Sequence, residues 1–194
     1  MSRSQSRSLI SAGLALVLGL GVAGCNGDDD GDCGPSGAPG TGLVGSGTGV
    51  TLTFGNLTGG LNGDCPAADA PSGVTSLTIQ GTQTDGTGLV TICISRPDLL
   101  AKGSVAVGLD MSGAQAQVID VSGTSNNCSL KVDRTATAAG TVSSEGLCGN
   151  GSDAAGFALV VDATLALTQT CGTATMSVAT TLKGRVAVAV LPTR

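Results

Sequence analysis

Apolar residues alternate with polar ones through most of the second half of this chain. Phe157, Leu159, Val161, Ala163, Leu165 and Leu167 recur at every second position, and Asp162, Thr164, Thr168 and Thr170 occupy the other phase. That period places side chains on opposite faces of a half-buried β-strand. Met176, Val178, Thr180, Leu182, Val186, Val188 and Val190 form a second such face with Ser177, Thr181, Lys183 and Arg185 opposite, and Gly184 reads as a bend or bulge. Cys171-Gly172-Thr173 between them supplies a turn, so the pattern predicts a C-terminal hairpin. Earlier runs at 50–57, 74–80, 89–95, 104–111, 114–121, 128–137 and 139–144 are short, rich in Val, Ile, Leu and Thr, and bounded by Gly, Asn, Asp or Ser. Residues 96–100, opening Arg-Pro-Asp, suit one helical turn. No segment sustains a helical period over a domain helix's length, so the expected fold is all-β: an antiparallel sandwich or barrel of about 8–9 strands.

The beginning of the chain follows another pattern. Arg3 and Arg7 precede an apolar run at 9–21 interrupted only by Ser11, and the small residues Val22-Ala23-Gly24 follow, the order of a secretory signal. A spanning helix needs about 20 apolar residues, whereas this run is shorter, contains glycine and meets Asp28, Asp29 and Asp30 soon after. Cys25 directly follows the small residues. The run Val22-Ala23-Gly24-Cys25 resembles the lipobox of bacterial lipoproteins, in which a dedicated peptidase cuts before the cysteine. The resemblance covers about the first 25 residues. It implies that Val22, Ala23 and Gly24 are read by the peptidase, and that Cys25 carries a diacylglycerol thioether and an N-acyl chain such as palmitate. Each buried methylene contributes about 0.8 kcal/mol, so one chain holds marginally and two or three hold durably. Asn26, rather than Asp, after the cysteine implies sorting to the outer membrane by the same resemblance. Asp28 to Asp30 resemble the acidic surface-export signals of some bacteria, leaving periplasmic or surface exposure open.

Removing residues 1–24 would leave 170 residues, a single-domain size. The expected organisation is a signal peptide at 1–24, a flexible acidic Gly-rich tether at 25–49 and one β domain at 50–194. Arg3 and Arg7 leave with the signal, so nine basic against fourteen acidic side chains become seven against fourteen, and the net charge moves from −5 to −7. Such a balance excludes nucleic acid as an expected partner and gives no attraction to anionic lipid, leaving the covalent lipid as the membrane contact. A protein partner remains open and unidentified.

Seven cysteines minus an acylated Cys25 leave Cys33, Cys65, Cys93, Cys128, Cys148 and Cys171, an even set suited to three disulfides in an oxidising compartment. Six cysteines permit fifteen pairings, among which sequence alone does not choose. Sequential pairing is the expectation, Cys33–Cys65, Cys93–Cys128 and Cys148–Cys171, because short closures suit hairpin neighbours. With no His and no C-x-x-C, a zinc site is not expected.

Two further motifs are weighed and set aside. Asn26, Asp28, Asp30 and Asp32, with Gly31 at the sixth position, match the opening of a calcium loop. Its twelfth position is Gly37 and no helical pattern flanks it, so a solvated acidic spacer is the expectation. Residues 40–45 satisfy G-x-G-x-x-G, yet Pro35 and Pro39 precede them and more Gly and Ser follow, which reads as linker rather than a dinucleotide loop.

Catalysis finds little material. Without histidine, Ser-His-Asp and Cys-His chemistry is excluded. Asp110, Asp120, Asp133, Glu145, Asp153 and Asp162 could in principle supply a glycosidase pair. Of these, Asp110, Asp120, Asp133 and Asp162 alternate with apolar positions, where solvated outer-face residues belong. Phe54 and Phe157 are the only aromatic residues, too few for a ring-stacking sugar site or an aromatic-rich binding hot spot. No catalytic residue and no cofactor is expected. Residues 146–151, 155–159, 170–172 and 182–184 resemble uncharacterised Gly/Thr-rich lipoproteins of Gram-negative bacteria, which implies no activity. Two readings follow: a non-catalytic lipid-anchored envelope protein, structural or adhesive, with an exposed strand edge as the surface for a partner, and a periplasmic carrier holding a small apolar ligand inside a barrel.

Overall fold

The computed structural model describes residues 42–149 and 155–190. Ten strands follow one another in chain order: β1 (Gly42–Gly47), β2 (Val50–Leu61), β3 (Leu77–Gln83), β4 (Leu89–Ile94), β5 (Ser104–Gly108), β6 (Ala116–Ser125), β7 (Cys128–Val132), β8 (Ala139–Gly149), β9 (Ala155–Cys171) and β10 (Ala174–Val190). A 3₁₀ helix at Pro97–Lys102 separates β4 from β5, where Pro sits in the first turn without costing a hydrogen bond.

The C-terminal hairpin is the frame. Its two strands are paired without interruption from Cys171↔Ala174 to Ala155↔Val190. The face read from the sequence is the buried one: Leu159, Val161, Ala163, Leu165 and Leu167 on β9, and Val178, Thr180, Leu182 and Val186 on β10. Met176 departs from it and is 60 % exposed, because it lies beside the turn, beyond the packed interior. Gly184 is neither a bend nor a bulge, since the ladder runs straight through Gly184↔Val161. Its missing side chain admits β1: a Cβ there would come within 1.9 Å of the Gly42 carbonyl oxygen.

Neighbouring strands pair β10–β1–β2–β3–β4–β6, then β6–β7, β7–β9 and β9–β10, so the sheet is one barrel-like ring rather than two stacked layers. β5 and β8 fill the lower part of the gap between β6 and β9. All pairings are antiparallel except the short β5–β6 contact. Each of the ten strands has partners on both sides along part of its length, which leaves little edge for strand addition.

Bulges reset which residues face inward. On β2, Val50, Leu52 and Phe54 are buried. The register to β3 then shifts between Gly55 and Thr58, with Asn56 in the left-handed region at φ 49°, and odd-numbered Leu57 turns in. On β6 the shift opposite Thr91/Ile92 brings both Val118 and Val121 to the core. The interior is filled by the ring's own apolar side chains, with Leu43, Leu52, Phe54, Leu77, Ile79, Ile92, Ile94, Leu159, Leu167 and Leu182 essentially without solvent contact.

Several expectations change. β1 takes residues 42–47 out of the stretch read as tether, and Leu43 is fully buried. The G-x-G-x-x-G run therefore ends inside a strand. Among the described residues two disulfides are present, Cys65–Cys93 and Cys128–Cys171, at Cα–Cα distances of 6.1 and 4.4 Å. Sequential pairing fails as a result: Cys33–Cys65, Cys93–Cys128 and Cys148–Cys171 are each displaced by one of them. Sequence neighbours here are not the spatial neighbours. β7 is stitched to β9 as well as to β6, and Ser129↔Thr170 makes Cys128 and Cys171 the next cross-strand pair. Cys93 on β4 is fully buried at the end of the ring where the 62–76 segment passes with Cys65.

Candidate functional site

Four connections converge at one end of the ring. Thr48-Gly49 joins β1 to β2, residues 84–88 join β3 to β4, Asn126-Asn127 joins β6 to β7, and Gly172-Thr173 joins β9 to β10. Asn126 and Asn127 have φ of 51° and 60°, the doubly left-handed geometry that a two-residue hairpin turn favours and that Asn tolerates. Gly172, at φ 61°, opens the last turn. Together they border a broad, open hollow of about 1160 Å³ lined by Gly49, Asp85, Thr124, Asn126, Ser129 and Thr170 among others, with Cys128 in its wall.

This rim is held by side chains as well as by turns. Gln83 is 4 % exposed and lies at the β3 end where β4 has not yet begun. Its Nε2 donates to the Thr124 carbonyl at 2.7 Å and to Asp85 Oδ1 at 2.9 Å, and its Oε1 accepts from the Thr124 N–H at 2.9 Å. One amide thus does for β3 and β6 what a strand ladder would do. Asn126 Nδ2 donates to the Gly49 carbonyl at 3.1 Å, tying two turns together. The chemistry offered is hydroxyl, amide and backbone polar groups, suited to hydrogen bonding with a polar surface. Asp85 is already engaged by Gln83.

The opposite end has a smaller hollow of about 430 Å³, lined by Pro66, Asp69, Arg96, Leu99 and Met111 among others. Arg96 dominates it. Its Nε and Nη2 hold both Asp98 oxygens at 2.8 Å, and Nη1 reaches Asp69 Oδ2 at 2.9 Å and the Asp69 carbonyl at 3.2 Å. The Asp98 hydrogen bond chiefly, and the charges of Asp98 and Asp69 with it, raise the guanidinium pKa against the opposing effect of desolvation. The guanidinium fork is already occupied by two carboxylates, so it clasps the 66–70 segment to the 3₁₀ helix rather than waiting for an anionic ligand.

The carboxylates considered for catalysis are scattered. Asp110 lies between β5 and β6, not in a strand, and accepts from the Ser112 N–H at 2.8 Å. Asp133 follows β7, which ends at Val132, and accepts from Thr135 N–H at 2.9 Å and Thr135 Oγ1 at 2.7 Å. Those bonds, the hydroxyl first, lower its pKa. Asp162 pairs with Lys183 at 2.9 Å, and Glu145 pairs with Arg185. Asp120 is half-buried on β6 with Oδ1 unpartnered. None of these five lines either end hollow. Asp153 lies outside the described residues, as do Val22, Ala23, Gly24, Cys25 and the calcium-loop candidates Asn26, Asp28, Asp30 and Asp32. Among the described residues no group of three or more His, Cys, Asp or Glu side chains gathers as a metal would require.

Sequence reasoning passed over Gln83, Asp85 and Arg96. A signal existed for Gln83: it shares the phase of Leu77, Ile79 and Gly81, so a polar amide stands on a core-facing row. Asp85 and Arg96 carry no such mark. No protein-family model, curated protein or solved structure matches the chain. Among the described residues no helix is long and apolar enough to cross a membrane.

Proposed function

We propose that this chain is a lipid-anchored cell-envelope protein, held through acylated Cys25 at the outer membrane, with a non-catalytic structural or adhesive role. The observation that carries the reading is the order of charged, apolar and small residues ending in Val22-Ala23-Gly24-Cys25. The two disulfides support it, since such bonds persist where glutathione and thioredoxin do not keep thiols reduced. The acidic balance supports it too, because a covalent lipid would do the holding that charge does not.

The packed interior favours this role over the carrier. A carrier needs an enclosed space of several hundred Å³, whereas the ring's inner face is taken up by its own Leu, Ile, Val and Phe side chains. Among the described residues, the hollows of about 1160 and 430 Å³ are open and lie at its ends. Adhesion would use the polar rim or the outward Thr and Ser rows in place of strand addition.

Metabolic labelling with a clickable palmitate analogue tests the anchor. The native chain should incorporate label, Cys25→Ser should not, and globomycin should cause the unprocessed form to accumulate. An intact mass starting at an unmodified Met1 would overturn the proposal. Protease shaving of whole cells then reads whether the domain faces the medium or the periplasm.

A further inference from the structure

We infer that the free end of β10, residues 174–178, pairs antiparallel with the same segment of a second copy of this chain, joining two rings head to head about a twofold axis at Met176. The inference goes beyond the anchoring proposal and stands without it. β1 covers β10 only from Thr180 to Arg185. On its other side β9 covers the whole strand, from Ala174 to Val190. Among the described residues the β1 side of residues 174–179 therefore meets no strand. Ala174, Thr175, Met176, Ser177 and Ala179 are exposed.

The backbone there is aimed outward. In an antiparallel pair the N–H and C=O of one residue point to the same neighbour, and alternate residues serve alternate neighbours. The Gly42 carbonyl is directed at Gly184, and the atom closest to a Cβ placed on Gly47 is the Ala179 carbonyl oxygen, at 2.5 Å. With Gly42↔Arg185 and Gly47↔Thr180 as the register, odd-numbered residues of β10 serve β1 and even-numbered ones serve β9. Thr175 and Ser177 thus hold their N–H and C=O toward the open side, a template for another strand. The usual guards of an edge are missing. No Lys, Pro or bulge interrupts residues 174–179, and no charged residue occurs from 163 to 182. Met176, at 60 %, is the most exposed large apolar side chain among the described residues.

The segment is its own complement. Centred on Met176, a twofold axis sets Thr175 against the partner's Ser177, Met176 against the partner's Met176, and Ala174 against the partner's Val178. Each Thr175–Ser177 pair exchanges two backbone hydrogen bonds with its hydroxyls side by side, while the methionine pair is of the closer, non-hydrogen-bonded kind. Centring on Ser177 instead would bring the partner's Ala174 level with Thr180, where Gly47 already pairs. The uncharged stretch matters because the chain carries a net charge of −5, and two acidic copies approach best where neither presents charge. An edge this short buries less than the roughly 1,000 Å² of a persistent interface, so the dimer is reversible.

Cross-linking of the full chain, purified from cells in detergent with micelles in excess, tests this. The pairing sets the two copies of residue 176 opposite each other as Cys128 and Cys171 are on β7 and β9, where the Cα atoms lie 4.4 Å apart. Met176→Cys should therefore form a disulfide-linked dimer under oxidised glutathione. Each new thiol loses its proton, the sulfurs join, and the oxidant is reduced to two thiols. Non-reducing tryptic mapping should find the fragment 135–183 joined to its own copy through residue 176. Thr164→Cys, exposed but flanked by Thr181 and Ala139, should stay monomeric. In sedimentation velocity the native chain should dimerise reversibly with rising concentration. Met176→Lys, which sets two like charges across the axis, should raise the dissociation constant at least about tenfold with an unchanged melt. Ser177→Pro removes an outward N–H without touching the β9 ladder and should abolish the dimer; if it fails to fold, Met176→Lys decides. A native chain that stays monomeric, equal cross-linking at residues 164 and 176, dimerisation undisturbed by Met176→Lys, or a different protein cross-linked at residue 176 overturns the inference.

Discussion

Gln83 shows how much a single amide holds when it replaces a missing strand. Replacing it with Leu would keep the volume roughly similar while leaving the Thr124 N–H and carbonyl without their partner. Because buried polar groups that lose their bonds cost about 1–3 kcal/mol, Gln83→Leu should lower stability by that amount in urea melts, with exchange at the Thr124 amide rising most. Gly184→Ala meets a different obstacle: the new Cβ would collide with the Gly42 carbonyl, so β1 must move away, at about 1–3 kcal/mol. A melt unchanged within error would mean that β1 yields without cost. Asp133 links stability to acidity. Its folded pKa lies below its unfolded value, so its contribution is present above the unfolded value and is lost as pH falls through the folded one. Thr135→Val removes the hydroxyl that contributes most, so the native and variant stabilities should differ at neutral pH and converge as the solution is made acid. A gap that widened in acid would contradict this sign.

The β9–β10 hairpin shows which elements were legible beforehand. Its alternation names the buried face of both strands, because both run straight and every second residue meets the same interior. Leu165→Ala should therefore cost about 2–5 kcal/mol, while Met176→Ala, at an exposed site, should stay within about 0.5 kcal/mol. Equal losses at the two sites would refute the assignment of faces. β2 and β6 were less legible, since their bulges reverse the phase at Leu57 and Val121 and alternation alone gives no warning of a register shift. β1 escaped notice because its glycines and serine, GLVGSG, share the composition of a linker; its neighbours β2 and β10, rather than its own side chains, make it a strand. Disulfide pairing was hidden for a similar reason, being set by which strands meet. The Cys128–Cys171 bridge closes 43 residues and should contribute about 4 kcal/mol in the chain-entropy model, a loss that the double Ser variant would report.

At the scale of the whole molecule, the all-β class followed from many short strands and frequent turns, which suit a sandwich as well as a barrel, whereas ring closure, the rim and the Arg96 clasp did not. Their residues come from connections far apart in sequence, and only ring closure assembles them. The filled interior makes a measurable statement: an environment-sensitive apolar dye titrated into the native protein should show no saturable binding, and stoichiometric uptake would revive the carrier reading. Ring closure also has a temporal side. β1, the first described strand, is zipped between β2 and β10, the last. A ribosome delivers these partners at opposite ends of synthesis, so the circle stays incomplete until the final hairpin has emerged. Contacts of such long sequence separation make folding slow, and the ring therefore closes only once its last hairpin has been made.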